Sequence, residues 1–130
     1  TLSGNPVAVA AGLATLKLVQ APNFYEELTK KTKSLVDGLT KAAHDLDVKF
    51  SAQSVGGMFG MYFSEKAPTS FDEIMKSNKE QFNQFFHHML SSGFYFGPSA
   101  FEAGFVSISH TDQDIHQTIE AAKKAFQVLK

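Results

Sequence analysis

The sequence contains no cysteine and no tryptophan, and because all twelve of its basic residues are lysines it contains no arginine. Without cysteine there is no disulfide, no thiolate metal site and no cysteine nucleophile. Without arginine, the planar fork that grips a carboxylate or phosphate through two parallel hydrogen bonds has to come from elsewhere if it is needed. No stretch reaches the roughly 18 to 20 apolar residues that span a bilayer, and no signal peptide is visible. Thirteen acidic residues against twelve lysines leave a net charge of −1. With no basic run, this balance argues against a nucleic-acid binder that tracks phosphates.

What is present is a chain of 130 residues, 43% hydrophobic, with thirteen phenylalanines to fill a core. That length suits one domain. Asn5 followed by Pro6 is a helix start, a capping side chain before a residue that needs no donor. The helix expected over 6–19 is apolar nearly all round, which predicts burial on several sides, with Gly12 allowing a close backbone approach. Asn23 is expected to cap a second helix, in which Phe24, Leu28, Leu35, Leu39, Ala42 and Leu46 recur at helical spacing. Its wet face offers Glu26 with Lys30 and Glu27 with Lys31 as four-residue pairs.

At Val48 the period changes to two, predicting a strand from there to Ala52 and a second over 58–63 after Gly56-Gly57. A short helix near 71–76 and a longer one ending at Gly93 follow, then an extended piece at 94–96 and a third strand over 105–108. Thr111 caps the last helix, where Asp112 and Asp114 suit the positive end and Ile115, Ile119, Ala122, Phe126 and Leu129 form the buried stripe. The order of elements predicts an α+β fold, a small antiparallel sheet of about three strands covered by helices.

Few residues invite a chemical reading. His87 and His88 are adjacent on a helix, so their side chains diverge by about 100° and cannot face one ion. His44, His110 and His116 lack metal-ligand spacing, and no metal site is expected. Gly56, Gly57 and Gly60 precede a strand rather than a helix, so they read as a tight turn and not a phosphate loop. Two stretches differ. Thr1-Leu2-Ser3-Gly4-Asn5-Pro6 collects hydroxyls and backbone donors ahead of a helix N-terminus, a favourable place for an anion, although taken alone the stretch reads more simply without one. Ser99-Ala100-Phe101-Glu102-Ala103-Gly104-Phe105 sets one carboxylate among apolar and small residues with no cation nearby in sequence. If buried, Glu102 must be held by something, either a turn whose backbone donors it accepts or a functional partner.

These two stretches, together with Ala10-Ala11-Gly12-Leu13-Ala14 and Ser109-His110-Thr111, resemble the glutamate-1-semialdehyde 2,1-aminomutases, pyridoxal-phosphate enzymes of tetrapyrrole synthesis related to the class III aminotransferases. The resemblance covers the whole chain and implies the C-terminal domain of a longer fold-type-I enzyme, with helix 6–19 packed on a large domain or a partner subunit. It implies a homodimer acting on a small-molecule substrate, cytoplasmic or, in a plant, plastidic. Nucleic acid and membrane play no part in it. By the same resemblance the Schiff-base lysine lies upstream of Thr1, so none of the lysines here is catalytic. Thr1 corresponds to a threonine that reaches the cofactor phosphate across the dimer interface, and Glu102 suits a substrate amino group. A class III ω-aminotransferase and a non-catalytic binding domain are the alternatives; the absence of arginine and the Glu102 motif disfavour the first.

Overall fold

A computed structural model describes residues 3–129. Helix α1 (Pro6–Val19) leads into α2 (Phe24–His44), and strands β1 (Ser51–Val55) and β2 (Met58–Tyr62) form a hairpin. Helices α3 (Phe71–Met75) and α4 (Lys79–Ser91) follow, then the two-residue strand β3 (Gly104–Phe105) and helix α5 (Asp112–Gln127). The sheet is antiparallel throughout, in the order β1-β2-β3. The expected α+β architecture is therefore the observed one.

Both hairpin strands alternate between faces. Phe59 and Met61 are buried, while Met58, Gly60 and Tyr62 point to the other side, opposite Val55, Gln53 and Ser51. Gly56 turns the hairpin at φ +57°, a conformation that costs glycine little. Against the inner face stand α2, α4 and α5, and the centre of the core is a nest of rings. Phe85 and Phe126 stack with centroids 4.9 Å apart, and Phe50 and Phe63 meet them edge-on or tilted.

The local signals act largely as expected. Asn5 Oδ1 accepts from the Val7 and Ala8 amides at 3.0 and 3.2 Å. Thr111 and Asp114 form a reciprocal capping box at the start of α5. Several expectations need correction. Asn23 makes no side-chain cap; it adopts the left-handed conformation at φ 64°, which asparagine tolerates, and turns the chain through 76° between α1 and α2. Lys31 does not pair with Glu27 but donates to the His110 carbonyl, and the ion pairs along α2 are Lys33–Asp37 and Lys41–Asp45 rather than those beginning at Glu26 and Glu27. The first strand begins at Ser51 and not Val48, because Val48 is drawn back to the Ala43 carbonyl at the end of α2. The third strand covers Gly104–Phe105 instead of 105–108, since Ser107 turns to bond with the His110 ring.

Helix α1 stands apart from the core. No residue of it is buried, Val7, Leu13, Leu16 and Leu18 are each more than half exposed, and a Cβ added at Gly12 would point into open space. Its apolar surface finds no partner among the described residues beyond its principal contact with α2. No single helix among the described residues is long and apolar enough to cross a membrane.

Candidate functional site

The 99–105 stretch leaves the end of the 94–96 segment as a tight turn. Ser99 organises it: its carbonyl accepts from the Glu102 amide at 3.1 Å and its hydroxyl from the Phe101 amide at 3.2 Å. Phe101 lies outward over Phe71, with ring centroids 5.9 Å apart and the Lys79 ammonium 5.2 Å above the ring. Downstream, β3 fixes the other end of the stretch. Phe59 faces Gly104, Met58 faces Phe105, and the Val106 amide donates to the Gly57 carbonyl at 2.8 Å.

Glu102 sits between these anchors and, contrary to the expectation of a buried carboxylate, is exposed. Its sequence neighbours are apolar, but Phe101 and Ala103 are exposed as well, and they line an open cavity with it without covering it. Among the described residues its carboxylate accepts no hydrogen bond and meets no cation, so a turn held by that carboxylate is not what the structure contains. Instead the side chain lies back over Gly97, where an added Cβ would come 3.0 Å from Oε2. It borders a cavity of about 310 Å³ on the outer face of the sheet, with Gln53, Met58, Tyr62 and Ile74 among the other walls. A carboxylate at the rim of such a space, with no internal partner, is available to an amine from outside.

The helix start reads differently from its sequence. Pro6 has no N–H, the Val7 and Ala8 amides are taken by Asn5 Oδ1, and the Val9 amide is taken by the Asn5 carbonyl at 2.9 Å. The first turn of α1 thus offers an anion no free backbone donor, and any donation has to come from the residues before it. Thr1 lies outside the described residues. The five histidines are all exposed, and no group of three metal-ligating side chains occurs among the described residues. Sequence reasoning missed the close approach of Phe59 to Gly104; a lone glycine at the head of an apolar strand was the available signal.

The sequence profile of the class-III aminotransferases matches residues 1–126. The chain belongs to the class-III aminotransferases. Among curated relatives of this family, the glutamate-1-semialdehyde 2,1-aminomutase of Dechloromonas aromatica is 63% identical over all 130 residues, and the chain spans 30% of that protein's length. Among solved structures, an ω-transaminase from Sphaerobacter thermophilus superposes with a TM-score of 0.82 at 17% identity, over 99% of this chain and 29% of its own. A glutamate-1-semialdehyde aminomutase from Pseudomonas aeruginosa PAO1 superposes with a TM-score of 0.74 at 13% identity, over 86% of this chain and 25% of its own. At such identities the structural likenesses establish the fold, that of part of a class-III aminotransferase.

The family implies pyridoxal phosphate, and the described residues do not by themselves form a site for it. Every described lysine is exposed except Lys31, which is half-buried and engaged by the His110 carbonyl, and the first-turn donors of α1 are already spent.

Proposed function

We propose that this chain is the C-terminal part of a pyridoxal-phosphate-dependent aminomutase that converts glutamate-1-semialdehyde to 5-aminolevulinate in tetrapyrrole synthesis. The observation that carries the reading is the 63% identity to the Dechloromonas aromatica aminomutase, in an alignment that spans the whole chain. The lack of arginine agrees with it, because an aminotransferase that exchanges two carboxylated partners calls for a bidentate clamp that this segment cannot supply. In the whole enzyme the helix α1 packs against the large domain or the partner subunit, and two subunits form a cytoplasmic homodimer acting on a small molecule, without nucleic acid or membrane.

The bound cofactor supplies the electron sink for moving an amino group between neighbouring carbons. The chain's own contribution is to hold and orient. Glu102, exposed and unpaired at the rim of its cavity, grips the amino group of the substrate or of the diamino intermediate through a charge-assisted hydrogen bond. An intramolecular transfer needs this more than an ordinary transamination does: the intermediate must stay bound while its second amine replaces the first at the reacting carbon. Thr1 reaches the cofactor phosphate of the opposite subunit with its hydroxyl, a bond to a charged group worth about 1.5 to 3 kcal/mol.

Glu102→Gln in the full-length enzyme tests the reading, since it keeps the shape and removes the charge. The expected result is slower interconversion and more frequent escape of the diamino intermediate, with cofactor absorbance and thermal stability little changed. Normal turnover with reduced stability would remove Glu102 from the site.

A further inference from the structure

Among the described residues the Glu102 carboxylate has no hydrogen bond or ion pair, so its position is set by the backbone that carries it. That backbone is tied on the downstream side by a very short strand, and the first rung of this strand is Gly104 opposite Phe59. A Cβ built on Gly104 would lie 2.6 and 2.7 Å from the two Cε atoms of the Phe59 ring, with Cζ nearer still. The glycine is required for space and not for conformation, since the glycines with positive φ are Gly4, Gly56 and Gly93. The ring in turn has little freedom. It is buried, it meets Phe96 edge-on at 6.2 Å, and it forms a wall of both the cavity bordered by Glu102 and a second cavity of about 400 Å³ on its other side.

Other glycines beside the site lack this property. At Gly97 the obstacles to a side chain are Oε2 and Cβ of the exposed Glu102, and at Gly60 it is the hydroxyl end of Tyr62. Only at Gly104 is the obstacle, within this site, a buried aromatic ring.

We infer that the flat contact of the Phe59 ring with Gly104 is the seat that fixes the Glu102 turn, which makes Phe59 and Gly104 positioning residues for the amine-holding carboxylate. The inference rests on the reading of Glu102 given above. Adding one carbon at Gly104 lifts the turn off the ring; trimming the ring lets the turn sink. Either change moves a carboxylate two residues away, and displacements on the order of 1 Å at a reacting centre cost up to about a hundredfold.

The experiment uses the full-length enzyme and reads the number of diamino intermediates released per completed turnover, alongside cofactor absorbance and thermal melting. Gly104→Ala and Phe59→Leu should each raise the released fraction by about tenfold, in the same direction as Glu102→Gln. The double variant, in which the new methyl occupies space vacated by the ring, should return the fraction toward the parent value. On a Glu102→Gln background Gly104→Ala should leave the fraction unchanged while still lowering the melting temperature. If Glu102→Gln raises release but neither positioning variant does so, the inference fails and the reading of Glu102 stands. If Glu102→Gln itself leaves release unchanged, the reading fails and the inference with it. Should Gly104→Ala not fold, Phe59→Leu alone decides, and parental release in that variant overturns the inference.

Discussion

Replacing Phe85 by alanine should be among the most damaging single changes available in this chain. Its ring is 1% exposed and stacks on Phe126 at 4.9 Å, with Phe63 at 5.7 Å, Phe96 at 6.1 Å and Phe50 at 6.5 Å around it. A buried Phe→Ala change costs about 3 to 5 kcal/mol through lost transfer energy and the cavity left behind. Four ring neighbours place this one at the upper end, because each aromatic pair adds about 0.5 to 1.5 kcal/mol beyond its buried area. Against a total of roughly 5 to 15 kcal/mol for a domain, a loss near 4 to 5 kcal/mol takes about a quarter of the stability at the least. Urea unfolding of the 130-residue chain, followed by far-ultraviolet circular dichroism, measures it. Phe71→Ala is the control: that ring is 66% exposed and its ring neighbour is the exposed Phe101, so its loss should change stability by about 0.5 kcal/mol or less. A Phe85→Ala penalty below about 2 kcal/mol would refute the ring nest as the centre of the core.

Three further outcomes are expected. At Gly38 an added Cβ would lie 2.8 Å from Ile119 Cγ1, so Gly38→Ala should cost about 1 to 3 kcal/mol in overpacking of α2 on α5, less about 1 kcal/mol gained in helix propensity; Ile119→Ala in the same chain should recover much of the loss, and strictly additive penalties would contradict the close approach. The Asp114 carboxyl is held below its ordinary pKa, first by the Thr111 hydroxyl and then by the Thr111 amide, so its contribution is complete above the unfolded carboxyl range and is lost as pH falls through the lowered folded value. Asp114→Asn should accordingly flatten the acid limb of the stability–pH curve, and Thr111→Ala should cost about 1 kcal/mol near neutral pH; an acid limb identical to the parent's would show the capping box to be unimportant. Borohydride reduction of the chain with pyridoxal phosphate should label surface lysines diffusely, and one stoichiometric modified lysine would show that the chain carries a cofactor lysine after all.

Helix ends and the core stripe were legible in the sequence because their causes are local. Asn5 before Pro6 and Thr111 three residues before Asp114 satisfy amide donors within their own turn, and no distant partner is needed. The ring core was legible as composition and spacing. The errors fall where tertiary partners decide. Asparagine serves equally as a cap and as a left-handed corner, and Asn23 takes the second role. The apolar neighbours of Glu102 suggested burial, but a turn anchored by Ser99 and β3 projects the carboxylate outward. The site motif itself was recognised by resemblance, whereas the Phe59 contact beneath it joins residues 45 apart in the chain, and no local pattern brings them together.

The corner at Asn23 gives α1 mechanical leverage. Fourteen helical residues at about 1.5 Å each make a strut roughly 20 Å long, bent 76° from α2 and secured to the body mainly at its near end. A rotation of only about five degrees at the corner would sweep the Asn5 end through nearly 2 Å, a displacement of the size that separates a made hydrogen bond from a broken one. The corner at Asn23 therefore governs the distance between the Asn5 end of α1 and the glutamate turn beside the sheet. Stiffening or loosening that corner would tune their separation without touching either.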